Sequence, residues 1–289
     1  MNMYTMHDVT MMSVNYFNAD YLLFSKKIFS QYNKDPNEWV VLCNRDVETP
    51  LLGDKFRTIE GVSQNMIVPS NGISMAAYQH GHTMNKGVRY IHENDSNRFL
   101  LIIDPDFFLF TDIEPILSTI VRNGWHFFGV PFSFTEYKKK YHSTRPCTDE
   151  AKQKMMGFPI HFCEIIDREK VDISKLDYIP NKNDCGNLMF ETYYDRPRAI
   201  APFAFGEGAD NNYKGTPRKE AYKFEKKLFG IHYRSRTYYR SSLYDDWFKQ
   251  CEEYINNLNM DEVQTLIDAD YFGDGSYPGY MNDGWSLHR

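Results

Sequence analysis

The stretch that decides the fold is FLLIIDPDFFLF, residues 99–110. Its first five residues, Phe99 to Ile103, are all apolar and predict a fully buried strand, and four more apolar residues follow from Phe107 to Phe110. Between the two runs stands Asp104-Pro105-Asp106, so two carboxylates and a stiff proline lie at the end of the most hydrophobic strand of the chain. The chemistry of that break is the question that the sequence poses.

Strands and helices alternate in the residues that precede this stretch. Residues 9–16 and the segment EWVVLCNRD (38–46) predict two strands. Each is followed by apolar residues at helical spacing, within residues 21–32 and from GHTMNKGV (81–88) onward. This alternation predicts an α/β fold with a Rossmann-like, mostly parallel central sheet flanked by helices.

The residues that follow the stretch continue the same pattern. Thr111 and Glu114 form a capping box for a helix that Gly124 ends, and WHFFGVPF (125–132) and FPIHFCEIID (158–167) predict two further strands. Two C-terminal helices then lead into a tail rich in glycine and aromatic residues. We therefore expect one catalytic domain over residues 1–240 and a C-terminal helical extension with its tail over residues 241–289.

The composition is that of a globular protein, with 289 residues of which 42% are hydrophobic and 25% charged. The net charge of -6 argues against a general surface for nucleic acids or anionic membranes, because such surfaces need a net basic face. The five cysteines are odd in number, and no two of them form a C-x-x-C pair. No segment approaches the apolar length of a transmembrane helix. We therefore expect a cytoplasmic protein without a transmembrane segment.

The two aspartates of the break suit a divalent cation. Ligands of open α/β sheets bind beyond the carboxyl ends of the strands, which is where Asp104 and Asp106 are expected. Two carboxylates one residue apart can hold Mg²⁺ or Mn²⁺, which shares its remaining positions with phosphates. The alternative is a simple turn, since aspartate before proline is a common turn pair. The tripeptide alone leaves both readings open.

The surrounding sequence resembles the glycosyltransferases of the A-type, nucleotide-sugar-binding fold, particularly family 2. In that family a helix with an Asn-x-Gly element leads into an apolar strand that ends in D-x-D, and Asn85-Lys86-Gly87 and Asp104-Pro105-Asp106 match both elements. The resemblance covers roughly residues 8–240. It implies a metal-dependent, hexosyltransferase-type enzyme that moves a sugar from a nucleotide-diphosphate sugar to a glycan or other hydroxyl acceptor, with inversion. It also implies a donor half over residues 8–132 and an acceptor half over residues 158–240.

The same resemblance implies roles for individual residues at the donor site. Asp106 would coordinate the metal, Asp104 would lie near the ribose or the metal, and His232 would bind the metal or the pyrophosphate. Where the family usually has adjacent aspartates, this chain reads Cys43-Asn44-Arg45-Asp46. Asp46 is therefore the expected contact, and the identity of the nucleotide base stays open. The other residues expected to bind the donor are Asn15, Tyr16, Asn18, Asn85, Arg234 and Arg236.

The acceptor half needs a catalytic base, because an inverting transfer requires a carboxylate that takes the proton from the attacking hydroxyl. The resemblance points to the segment NDCGN (183–187), in which Asp184 is the first candidate, with Glu207 and Asp210 in reserve. Asp184 is equally suited to cap the helix predicted after it, so its role stays open.

Two other functions are compatible with these features. A metal-dependent nucleotidyltransferase would also combine an α/β sheet with a cation and a nucleotide, but VTMMSVNYFNAD (9–20) lacks the glycine-rich phosphate loop of such enzymes. A nucleotide-sugar-binding protein without catalysis would keep the fold and could lose the second aspartate, yet this chain has both Asp104 and Asp106.

Overall fold

The computed structural model describes residues 4–16, 19–44, 52–62, 75–131, 159–180, 204–205, 218–234 and 244–268. The strands in these ranges are β1 (Val9–Asn15), β2 (Glu38–Cys43), β3 (Arg57–Glu60), β4 (Phe99–Ile103), β5 (Phe107–Leu109), β6 (Phe127–Pro131), β7 (Pro159–Asp167), β8 (Ala204–Phe205), β9 (Arg218–Phe224) and β10 (Lys227–Arg234). The α-helices are α1 (Ala19–Tyr32), α2 (Met75–Asn94), α3 (Glu114–Asn123), α4 (Tyr244–Asn256) and α5 (Met260–Asp268). Among the described helices, none is long and apolar enough to cross a bilayer.

The chain forms two compact units, each assembled from separate segments of the sequence. The six-stranded unit comprises Met1–Val14, Pro36–Ile103 and Glu114–Ala201, and the four-stranded unit comprises Asn15–Asp35, Asp104–Ile113 and Pro202–Arg289. The chain passes into the four-stranded unit at the carboxyl ends of β1 and β4. The predicted division into a donor half, an acceptor half and a C-terminal extension stays a prediction.

The six-stranded unit contains a mixed sheet with the strand order β3-β2-β1-β4-β7-β6. β1 pairs in parallel with β4, and β2 with β3, whereas β7 runs antiparallel to both β4 and β6. Every residue of β1 and β4 is buried, as continuous apolar runs require of central parallel strands. Helix α2 packs its apolar face, including Met84, Val88 and Ile91, into the core of this sheet. The predicted α/β class with a mostly parallel sheet flanked by helices is confirmed.

An ion pair between a partly buried arginine and a buried aspartate fixes β7 alongside β4. Arg98, directly before β4, donates from Nε and Nη2 to the two carboxylate oxygens of Asp167 at 3.1 and 2.9 Å. Asp167 is the last residue of β7 and pairs with Phe99, and its side chain is fully buried. The forked guanidinium matches both carboxylate oxygens, so this contact also helps to specify the register of the two strands.

Helix α3 ends as its sequence predicts. Gly124 has a φ of 66°, in the left-handed region that favours glycine. Its N–H donates to the carbonyl of Val121 at 3.1 Å, and the N–H of Trp125 donates to the carbonyl of Ile120 at 3.0 Å. This pair of bonds is a Schellman cap, which satisfies the last carbonyls of the helix. The start of helix α2 differs from the prediction, since the helix begins at Met75, before the segment GHTMNKGV.

The four-stranded unit contains an antiparallel sheet with the order β5-β10-β9-β8. Aromatic and aliphatic side chains from α1, β5, β10, α4 and α5 form its core, with Phe24, Phe108, Ile231 and Ile255 among them. The two C-terminal helices that the sequence predicts are therefore present, and both contribute to this core.

The hairpin between β9 and β10 turns through two residues with positive φ. Glu225 and Lys226 have φ values of 47° and 61°, between the paired residues Phe224 and Lys227. Two-residue hairpin loops of this type favour asparagine and glycine, because other side chains collide with the backbone in this conformation. Lys226 also accepts a hydrogen bond at its carbonyl from Gln264 of α5, at 2.9 Å.

We predict that the double substitution Glu225→Asn with Lys226→Gly stabilises the protein by about 1–2 kcal/mol, because it removes two left-handed conformations that cost energy in other residues. The backbone bond to Gln264 is kept. Thermal and urea unfolding measure the effect, with Glu225→Gln and Lys226→Arg as the control. Equal stability of the two double variants would show that the hairpin is unstrained.

Candidate functional site

The Asp104-Pro105-Asp106 segment is a tight turn. The N–H of Phe107 donates to the carbonyl of Asp104 at 3.0 Å, and Pro105 occupies the second position, where its fixed φ favours a turn. The turn joins β4 to β5, and Pro105 and Asp106 are buried. The turn reading of the tripeptide is therefore correct, and it is compatible with a site, because the turn presents two carboxylates close together.

The pairing of β5 with β10 brings a histidine to this turn. His232 lies opposite Phe107, and Ile231 opposite Phe108, in the antiparallel register. One residue further, the N–H of Tyr233 donates to the carbonyl of Asp106 at 2.9 Å. The backbone of β10 therefore continues alongside the turn, and His232 Nε2 lies 3.3 Å from Asp106 Oδ1.

The side chains of Asp104, Asp106 and His232 form a cluster suited to a divalent cation. Their ligand atoms all lie within 4.8 Å of one another. Asp106 and His232 are both 6% exposed, while Asp104 is partly exposed. Two neighbouring carboxylates repel each other unless a cation neutralises them, and oxygen ligands with one imidazole nitrogen suit Mn²⁺. The donor set therefore fits the predicted metal.

Helix α1 holds the segment that carries this cluster. The hydroxyl of Ser25 donates to the carbonyl of Phe107 at 2.9 Å. Asn33 accepts from the N–H of Ile113 at 2.9 Å and donates from Nδ2 to the carbonyl of Thr111 at the same distance. The segment is therefore bonded to α1 at the first residue of β5, and to the residue that follows α1 at Thr111 and Ile113.

A glycine allows β10 to approach β5 closely. A Cβ on Gly230 would lie 2.5 Å from Cε1 and Cζ of Phe107 and 2.9 Å from the carbonyl oxygen of Phe108. Phe107 cannot move away easily, since its ring packs against those of Tyr222 and Phe229. Gly230 is two residues from His232, so the close approach directly supports the position of the imidazole.

The other residues predicted to bind the donor are described only in part. Asn15 is the buried last residue of β1, Tyr16 follows it and is partly exposed, and Arg234 ends β10 opposite Arg218. Their roles stay predictions. The remaining candidates lie outside the described residues, namely Asn18, Asp46, Arg236, Asp184, Glu207 and Asp210.

Asn85 has its amide engaged within the six-stranded unit. Its Nδ2 donates to Asp177 Oδ1 at 2.7 Å, and its Oδ1 accepts from the N–H of Tyr178 at 2.8 Å. Helix α2 comes very close to the same segment, where a Cβ on Gly81 would lie 2.4 Å from the carbonyl oxygen of Tyr178. The side chain of Asn85 thus joins α2 to the segment after β7, and its predicted contact with a nucleotide stays untested.

A buried carboxyl group in β7 was not among the predicted site residues. Glu164 is fully buried, and its Oε1 accepts a hydrogen bond from the Tyr178 hydroxyl at 2.8 Å, whereas Oε2 has no hydrogen-bond partner among the residues that the structure describes. Burial raises the pKa of Glu164 to about 8, although the Tyr178 hydrogen bond opposes this shift. The sequence carried one signal for it, a carboxylate between apolar residues inside the strand FPIHFCEIID.

We predict that Gly230→Ala weakens the β5–β10 pairing by about 1–3 kcal/mol, as overpacking does, and lowers Mn²⁺ affinity by about tenfold or more. Calorimetric titration with Mn²⁺ and urea unfolding measure the two effects. Ile231→Val is the control, since it loses about 1 kcal/mol by a small cavity without shifting the strand. Unchanged Mn²⁺ affinity in Gly230→Ala would contradict the role of this close approach.

We predict that Glu164→Gln stabilises the protein by roughly 4 kcal/mol at pH 7.5, because Glu164 must take up a proton on folding at this pH and the neutral amide does not. The pKa of Glu164 rises from 4.5 to about 8 on folding, so the unfolded chain ionises first. The stability of the wild type therefore falls as the pH rises from about 4.5 to about 8, whereas the stability of the variant lacks this decrease. Chemical unfolding across this range is the measurement, with exposed Glu93→Gln as the control. Parallel pH profiles of wild type and Glu164→Gln would contradict the raised pKa.

No protein-family model and no curated protein matches this sequence. Solved structures similar to the chain include the mannosyltransferase PcManGT of Pyrobaculum calidifontis with GDP-mannose and Mn²⁺, at 13% identity, 68% coverage of this chain, 54% coverage of that chain and a TM-score of 0.43. The galactosyltransferase LgtC, with donor and acceptor sugar analogues, is 16% identical to this chain, and the TM-score is 0.37. The match covers 58% of this chain and 62% of LgtC.

A third similar structure is the glucosyl-3-phosphoglycerate synthase of Mycobacterium tuberculosis, with Mn²⁺, UDP and glucosyl-3-phosphoglycerate. It is 12% identical to this chain, the match covers 65% of each of the two chains, and the TM-score is 0.42. This chain thus spans between 54% and 65% of the length of the three proteins.

Proposed function

We propose that this chain is a metal-dependent glycosyltransferase that moves a sugar from a nucleotide-diphosphate sugar to a hydroxyl acceptor, with inversion at the anomeric carbon. The observation that carries the proposal is the cluster of Asp104, Asp106 and His232 at the turn after the buried strand β4. The resemblance of residues 80–110 to the A-type glycosyltransferases supports the same conclusion. We extend the proposal to a hexosyl donor and a cytoplasmic location.

Asp104, Asp106 and His232 are the residues that would hold Mn²⁺ or Mg²⁺. When bound, such a cation supplies Lewis-acid chemistry, neutralising the charge that develops on the nucleoside diphosphate as it leaves. Asp106 and His232 are buried and fixed by backbone bonds, so their ligand atoms are positioned before any ligand arrives. Asp104 is the more exposed carboxylate and is therefore the one that can also contact a bound donor.

The proton of the acceptor hydroxyl must pass to a carboxylate of the chain. We assign this role to Asp184, with Glu207 in reserve. The carboxylate oxygen would accept the proton while the acceptor oxygen forms a bond to the anomeric carbon, on the face opposite the departing group. The bond between that carbon and the phosphate oxygen breaks, and its electron pair leaves with the nucleoside diphosphate.

The remaining donor contacts belong to the same proposal. Asn15 and Tyr16 follow β1, at the carboxyl end of a parallel strand, where open α/β sheets bind nucleotides. We propose that they bind the base and ribose together with Asn18, Asn85 and Asp46. Arg234 and Arg236 would bind phosphate oxygens, for which guanidinium groups offer paired donors.

The test is a thermal-shift screen against UDP-, GDP-, CMP- and dTDP-linked sugars, with and without Mn²⁺, followed by an assay for release of the nucleoside diphosphate. We expect one nucleotide class to stabilise the protein only when Mn²⁺ is present. Asp106→Asn should abolish that shift and lower turnover by more than about a hundredfold, because it removes one metal ligand. The exposed Asp246→Asn is the matched control and should behave as the wild type.

Three results would contradict the proposal in different ways. Activity that survives thorough chelation would exclude the divalent cation. A metal-dependent shift without release of nucleoside diphosphate would identify a nucleotide-sugar-binding protein instead of an enzyme. Release of pyrophosphate from a nucleoside triphosphate would identify a nucleotidyltransferase.

A further inference from the structure

A groove of about 520 Å³ lies in the four-stranded unit, between β10 and the two C-terminal helices. Successive residues of a strand point to opposite faces, so Tyr233 faces this groove while His232 faces the candidate metal cluster. The lining comes from one strand, two helices and their connection, and consists of Tyr233, Gln250, Glu253, Tyr254, Asn257, Leu258, Asn259, Glu262 and Val263.

Two tyrosines and two aliphatic side chains give the groove an apolar floor. The rings of Tyr233 and Tyr254 lie 6.1 Å apart and are tilted by 42°, and Tyr233 is only 1% exposed. Leu258 and Val263 pack against the core of the unit beside them. This floor is anchored, because Tyr233 belongs to β10 and its N–H is bonded to the carbonyl of Asp106.

The rim of the groove is polar and makes few contacts with the protein itself. Gln250, Glu253 and Asn257 lie at helical spacings of three and four and share one face of α4 and its end. Within the described part of the chain, these three side chains and that of Glu262 make no hydrogen bond or ion pair. Asn259 caps α5, because its Oδ1 accepts hydrogen bonds from the N–H groups of Asp261 and Glu262. The N–H donors of its side-chain amide are left to bind a ligand. The rim thus offers donors and acceptors to a ligand.

The charges of the groove disfavour anionic ligands, the class that the metal cluster would take. Its described lining contains two carboxylates and no lysine, arginine or histidine. An anionic ligand such as a nucleoside diphosphate would therefore be repelled. Both glutamates are exposed, so solvent weakens this repulsion and their attraction for a cation alike, and neither kind of ion is strongly favoured. A neutral ligand rich in hydroxyls is favoured, because side-chain amides both donate to and accept from hydroxyl groups, and carboxylates accept from them.

We propose that this groove binds a neutral oligosaccharide, the part of the acceptor glycan remote from the reacting hydroxyl. The role as acceptor site rests on the proposed transferase function, whereas glycan binding itself does not. A sugar ring has an apolar face for the Tyr254 ring and equatorial hydroxyls for the amides. The volume lies in the ordinary range of ligand sites. Binding remote from the reaction would raise the affinity for long acceptors without altering the chemical step.

A glycan microarray of neutral and charged oligosaccharides tests the binding, and calorimetric titration with the best neutral glycan quantifies it. We expect Tyr254→Ala and Asn257→Ala to weaken the wild-type affinity by about three- to tenfold. Asn256→Ala is the matched control, since Asn256 is the exposed neighbour of Asn257 and does not line the groove. Asn257 is itself exposed, so this variant keeps its fold.

The same variants separate this proposal from the transferase proposal. With the bound glycan as acceptor, Asn257→Ala should raise KM at unchanged kcat and leave donor hydrolysis unaltered. Asp106→Asn should lose turnover and keep glycan binding. Binding of no neutral glycan, binding of charged probes only, or equal affinities in all variants would overturn the groove proposal and leave the metal-dependent activity standing. Glycan binding by the groove without any turnover would overturn the transferase instead.

Discussion

The candidate metal centre depends on the antiparallel pairing of β5 with β10. This pairing places His232 opposite Phe107, one residue beyond the turn that carries both aspartates. The bond from the N–H of Tyr233 to the carbonyl of Asp106 extends the pairing to the turn itself. Two backbones therefore position the imidazole against the carboxylate, and little side-chain freedom has to be lost when a ligand binds.

The surroundings of this pairing serve to keep the two strands in place. Ser25 of α1 and Asn33, directly after α1, bond to the segment that carries β5, and Gly230 lets the strands approach where a side chain would collide. On its other face, β10 packs through Tyr233 against the helices that follow it. One strand thus connects the metal cluster on one face with the groove on the other.

The local parts of the structure could be predicted from the sequence, and the long-range parts could not. β1, β2, β4, β6 and β7 follow from apolar runs, because burial of a strand is written into consecutive residues. β9, with the charged sequence RKEAYKF (218–224), has no such run and was not predicted. The register that brings His232 to Asp106 depends on tertiary pairing, and only the family resemblance indicated it. Glu164 stands out as a carboxylate between apolar residues, but its burial and its bond from Tyr178 arise from packing.

The order of the segments along the chain has a consequence for folding. Asp104 and Asp106 are made well before β10, which begins only at Lys227. Domains assemble as their segments emerge from the ribosome. An incomplete chain that ends before β10 can contain the turn and both carboxylates, yet it lacks the strand that brings the third ligand. The complete cluster can therefore exist only in chains whose synthesis has passed β10, while α4 and α5 of the same unit are still to follow.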